Sequence, residues 1–119
     1  MDTGASIFFT EYSISPIELG TALEERGFDS LWVAEHSHIP VTRRFNVPKG
    51  GELEQQYDDV MDPFVTWSAA AAVTRRLKLT TGVCLVIQRD TIQSAKARCL
   101  ARPSLGRALY LWHRRGVER

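Results

Sequence analysis

The run Glu35-His36-Ser37-His38 places two imidazoles one residue apart beside a carboxylate. Imidazole titrates near neutral pH, so this cluster can take up and release protons during a reaction. With Cys84 it also offers metal-donor atoms, and His-x-His spacing fits some metal sites. No third ligand stands at a telling distance, however, and no metal is expected. Glu35 can orient His36 or bond to backbone; a solvated loop carboxylate is an equally good reading. A second feature is Gly82-Val83, set in a run rich in β-branched residues. Glycine inside a strand marks a bulge or the close approach of a ligand, or is tolerated for packing. Thr80 and Thr81 can line a pocket there, and β propensity explains them equally well. Arg43, Arg44 and Lys49 form a basic group able to attract an anionic ligand, with a solvated loop as the plainer reading. Trp32, Phe64 and Trp67 read as core.

These residues need a scaffold, and the chain spells one out. Ser6 to Thr10 is a short apolar, partly aromatic run that predicts a strand. Ser15-Pro16-Ile17-Glu18 then combines a capping serine, a proline at the first helical position and a glutamate that can bond back to the cap. Ile17, Leu19 and Leu23 supply an apolar stripe, and Gly27 stops the helix. Phe28 to Val33 predicts a second strand. A polar stretch from Glu35 to about Met61 is long for a connection, and such loops are often functional. Asp62-Pro63 repeats the cap-then-proline start for a buried helix over Phe64 to Thr74, with Arg75 and Arg76 suited to its negative end. Leu77 to Val86 predicts a third strand, and Asp90 caps a third helix through Lys96.

Strands alternating with helices indicate parallel βαβ units. An open doubly wound sheet and a closed barrel both fit. The first strand ends in FFTEYS rather than a glycine-rich phosphate turn, which weakly favours the barrel. At 44% hydrophobic and 24% charged residues the composition is that of an ordinary globular protein. No apolar run reaches membrane-span length, and the N-terminus has neither the basic start nor the apolar segment of a signal peptide. Cys84 and Cys99 suggest no disulfide framework, which fits a reducing cytoplasm.

The run GFDSLWVAEHSHIP, residues 27–40, resembles the second strand of luciferase-like monooxygenases, and the spacing back to FFTEYS matches their first strand and helix. The run DPFVTWSAAAAVTRRLKLTTGVCLVIQRDTIQSAK, residues 62–96, resembles their second helix, third strand and third helix. The likeness leans toward the branch that uses the deazaflavin coenzyme F420. It implies an α/β fold, a partial TIM-type (β/α)8 barrel of about three βα units, with a ring system lying over the C-terminal strand ends. It further implies an oxidoreductase that transfers hydride to, or inserts oxygen into, a small organic substrate. Coenzyme F420 is the expected cofactor, FMN the alternative, and the parent enzyme is expected to be a homo-oligomer. His36 takes the place of the family's strand-2 histidine, which exchanges protons near the ring, and is the expected catalytic residue. Gly82 and Val83 fall where the family carries a bulge, often with a non-prolyl cis peptide, behind the ring. With Glu35 and His38 they are the expected cofactor-binding residues.

The resemblance stops near Ala97. Residues 1–96 hold nine Lys and Arg against thirteen Asp and Glu, whereas residues 97–119 hold six Arg, no Lys and one Glu. With synonymous codons chosen freely, Pro103 to Arg107 read one base out of frame becomes Arg-Leu-Ser-Gly-Gly, the family's text at that place. Residues 1–96 are therefore expected to be the N-terminal part of the barrel, and 97–119 an irregular, out-of-frame basic tail on an inactive fragment. The alternative is a small α/β binding module whose tail binds an anion or nucleic acid, although no nucleic-acid motif accompanies it.

Overall fold

The computed structural model describes residues 1–41 and 53–97. Arg43, Arg44, Lys49, Cys99 and the tail beyond Ala97 lie outside the described residues. The chain runs β1 (Gly4–Ile7), α1 (Pro16–Glu25), β2 (Ser30–Val33), α2 (Pro63–Val73), β3 (Lys78–Thr81) and α3 (residues 91–97).

Each helix begins where its cap dictates. The Ser15 hydroxyl accepts the Glu18 backbone N–H at 3.2 Å, and Glu18 Oε2 accepts the Ser15 N–H at 3.3 Å, closing the reciprocal capping box. α1 ends ahead of Gly27, whose φ of +75° is a conformation that side-chain-bearing residues resist. Asp62 Oδ1 accepts the Phe64 N–H at 2.8 Å to start α2, and Asp90 Oδ1 accepts the Gln93 N–H at 2.7 Å to start α3.

The strands form one parallel sheet in the order β1-β2-β3, with Ala5, Leu31 and Leu79 in register across it. Because side chains alternate, one face carries Ala5, Ile7, Leu31, Val33 and Leu79. Helices α1 and α2 cover that face through Leu23, Trp67, Ala70 and Ala71, and together these side chains make the core. This is an α/β chain of three parallel strands alternating with helices, as a partial TIM-type barrel requires. Trp32 alternates onto the opposite face, is half-buried, and does not join the helix-side core. It needs room there: a Cβ on Gly4 would lie 3.0 Å from the Trp32 Nε1 and 2.5 Å from the Ser30 hydroxyl.

The strands are shorter than the sequence predicts, for polar reasons. Beyond Ile7 the Phe9 carbonyl turns to accept the Met61 N–H at 2.7 Å, and the Thr10 N–H goes to the Ser13 hydroxyl at 3.0 Å. Phe9 itself stays in the core at 1% exposure. β3 stops at Thr81 instead of running to Val86; just beyond it the Gly82 N–H still reaches the Val33 carbonyl at 2.8 Å, and the chain then leaves the strand for a short 3-10 turn at Val86–Gln88. Arg75 and Arg76 also act differently from expectation. Both follow α2, and their backbone N–H groups, with that of Leu77, donate to the Glu24 carboxylate at 2.7–3.4 Å. The Arg76 guanidinium stands 3.8 Å from Glu24 with its side chain 82% exposed, so that ion pair adds little.

Glu24 thereby ties α1 to the α2–β3 connection. Desolvation works against its charged form, but the three backbone donors outweigh it and hold the carboxyl below its ordinary pKa. A depressed folded-state pKa means stability that is present above the unfolded value, about 4.3, and is lost as pH falls through the folded value. Glu24→Ala is expected to cost about 2 kcal/mol in urea unfolding at neutral pH, with the gap to the parent chain shrinking in acid. An unchanged gap at low pH contradicts this role.

Candidate functional site

Parallel strands send all their C-terminal ends to one side, and the motif after β2 opens there. Its residues splay apart. Glu35 turns inward and is 3% exposed. Its Oε2 accepts the Leu85 N–H at 2.9 Å, its Oε1 pairs with the Arg89 guanidinium, and the Cys84 thiol bonds to it. Arg89 reaches on to Asp62 Oδ2 and lies over the Phe64 ring, 4.9 Å from its centroid. One guanidinium thus joins the end of β2, the cap of α2 and the loop after β3. Burial opposes the Arg89 charge, and the bonds to Asp62 and Glu35 more than restore it. Cys84 is 3% exposed, and burial followed by the Glu35 contact pushes its thiol up to about 12.

His36 turns the other way. It is half-buried, and its ring meets Tyr57 edge-on at 5.4 Å between centroids; Tyr57 in turn meets Phe8 at 4.8 Å. Desolvation holds the imidazole below its ordinary pKa, with Glu35 and Asp58 pulling the other way. The neutral ring at physiological pH is a proton acceptor. His38 is exposed, with Nδ1 2.9 Å from the Ser37 hydroxyl, which itself donates to Gln88 Oε1 at 3.1 Å. A hydroxyl has one proton to give, so Nδ1 of His38 is the donor in that pair.

The Gly82–Val83 peptide bond is cis. By register Gly82 follows Thr81, the partner of Val33, so Gly82 and Val83 lie just past the end of β3, beside the strand that leads into His36. Gly82 is exposed and Val83 half-buried. A groove of about 410 Å³ is lined by Ser37, Asp62, Phe64, Gln88 and Arg89 together with α3; it includes neither His36 nor Gly82.

The luciferase-like monooxygenase family matches residues 15–109, which is most of the chain and runs past residue 97. An uncharacterized protein of Mycobacterium bovis and others from two strains of Mycobacterium tuberculosis are each 36% identical over 100 residues. Those alignments cover 82% of this chain and 36% of each relative. The chain belongs to the luciferase-like monooxygenase family.

Within this luciferase-like chain, the structure sets His36 and the Gly82–Val83 pair at the ends of neighbouring strands. It gives Glu35 to the Leu85 and Arg89 contacts and turns His38 toward Gln88. Arg89 and Tyr57 are partners that the sequence did not single out. Arg89 lies 54 positions from Glu35, and Tyr57 sits inside a polar loop with no periodicity to mark it. Among the described residues, no group of three or more His, Cys, Asp and Glu side chains is placed to hold a metal, and no helix is long and apolar enough to cross a membrane.

The Cys84 seat gives a direct check. Cys84 is expected to resist iodoacetamide at mildly alkaline pH in the native chain and to react once urea is added, as read by peptide mass spectrometry. Rapid native labelling contradicts the packing of the loop after β3.

Proposed function

We propose that this chain carries the ring-facing N-terminal part of a flavin- or deazaflavin-dependent oxidoreductase, with coenzyme F420 as cofactor and FMN as the alternative. The observation that carries the reading is the half-buried imidazole of His36 at the end of β2, its pKa held down by desolvation, in a chain of this family. The neighbouring strand end suits a flat ring. Gly82 is exposed with no side chain to obstruct approach, and Val83 offers an apolar surface behind it.

The bound ring supplies the redox chemistry, hydride transfer or oxygen insertion on a small organic substrate. His36 accepts a proton at an imidazole nitrogen and returns it, a task its neutral state suits. Gly82 and Val83 bind the ring by contact and exclude water from one side. Glu35 acts at one remove by fixing the loop that follows them, and His38 stands at the rim toward Gln88.

The chain spans 36% of the length of the mycobacterial relatives, and among the described residues β1 and β3 each pair only with β2. On this reading the 119 residues hold ring-facing groups without a closed barrel, and by themselves carry little or no activity.

Fluorescence titration tests this with two proteins: the 119-residue chain, and a chimera in which its residues 1–96 replace the matching part of the M. tuberculosis relative. The chimera is expected to bind coenzyme F420 stoichiometrically and more tightly than FMN, and the isolated chain to bind either far more weakly. A chimera that folds and binds neither cofactor overturns the reading. A tight one-to-one complex with the isolated chain overturns its inactivity.

A further inference from the structure

Among the described residues of the polar segment between β2 and α2, Tyr57 brings its ring to the site, and main-chain bonds set where that ring goes. Residues Gln55–Tyr57 form a short 3-10 turn. The Tyr57 N–H donates to the Glu54 carbonyl at 3.0 Å, and the Asp58 and Asp59 N–H groups donate to the Gln55 carbonyl at 3.0 and 3.1 Å. The Gln55 amide closes the turn on Asp59 at 2.8 Å. Just beyond it, the Met61 N–H is anchored on the Phe9 carbonyl at 2.7 Å, which hangs the turn on the end of β1. Tyr57 consequently lies on Phe8 with its ring against His36, at interplanar angles of 60° and 65°.

We infer that Tyr57 is a positioning residue for His36, its ring fixing the plane of the imidazole and keeping water from one side of it. The inference rests on His36 as the proton-exchanging group. Among the described residues, the carboxylates that act on that imidazole are Glu35 from the end of β2 and Asp58 from the end of the turn. Both favour the charged ring, yet desolvation prevails, and Glu35 is already engaged by Arg89. Among the described residues, Tyr57 and Phe8 are the aromatic neighbours on that side, and Tyr57 makes the ring contact with His36. Removing its ring opens the imidazole to water and leaves the carboxylates in place, so the histidine should become easier to protonate.

The test is a proton NMR titration of the imidazole signals in the full 119-residue chain. The His36 signal is assigned from its loss in His36→Gln, and the other two histidines serve as internal references. In Tyr57→Ala the His36 midpoint is expected to rise toward the ordinary value of about 6.5, with the reference midpoints unmoved. Tyr57→Phe, which keeps the ring and loses only the hydroxyl, is expected to titrate as the parent does. Tyr57→Leu serves in place of the alanine variant if that variant does not fold, with the same upward direction expected. Ring-removing variants that leave the midpoint where it was overturn the inference. So does a Tyr57→Phe variant that shifts as far as Tyr57→Ala, because the hydroxyl would then be the cause. No cofactor enters the measurement, so its failure and a failed cofactor titration are separate results.

Discussion

A carboxylate buried at the end of β2 is the constraint around which the rest of this site is arranged. Taking Glu35 out of water costs several kcal/mol unless opposite charge and hydrogen-bond donors meet it. The Leu85 N–H and the Arg89 guanidinium meet it, and both come from the loop after β3. That requirement ends the third strand early, because the chain beyond Gly82 must turn toward Glu35 instead of continuing the ladder. It also sets the cap of α2, since Arg89 holds one oxygen of Asp62 while the other oxygen starts the helix. Phe64 completes the arrangement by lying under the guanidinium.

The consequence for chemistry is a division of labour within four successive residues. Glu35 points inward and is spent on structure. His36 points outward into a partly desolvated aromatic corner, and Ser37 and His38 reach across to Gln88. The imidazole sits one residue from a carboxylate whose charge Arg89 already balances, and its desolvation outweighs the remaining pull. An imidazole held neutral by desolvation is free to accept a proton beside a redox ring, which is the role proposed for it in this family.

Local signals in the sequence were strong and translated directly. The Ser15–Glu18 capping box, the Asp62 and Asp90 caps and the stop at Gly27 all lie where short-range chemistry puts them. The alternation of strands and helices was enough to give a parallel sheet. Strand lengths are not legible, since Phe9, Thr10 and Leu85 have strand-like composition but bond to Met61, Ser13 and the Glu35 carboxylate instead of extending the ladder. Trp32 looked like core and alternates onto the face away from the helices. Arg89 and Tyr57 were silent because their partners are distant in sequence, and residue type alone does not distinguish a networked arginine or a loop tyrosine from a solvated one. The site residues His36, Gly82 and Val83 were named through family resemblance rather than through spacing.

Glu35 and Arg89 act as one unit holding the loops of this face together. A double-mutant cycle on urea unfolding, with Glu35→Gln, Arg89→Met and the pair, tests it most directly. Arg89→Met leaves the buried Glu35 carboxylate without its guanidinium and is expected to cost about 3 kcal/mol; Glu35→Gln leaves Arg89 paired with Asp62 alone and is expected to cost about 2 kcal/mol, while the double variant costs well under the sum, giving a coupling of about 2 kcal/mol. Strictly additive losses would mean that the two side chains contribute independently, and the account of the site built on their pairing would be wrong.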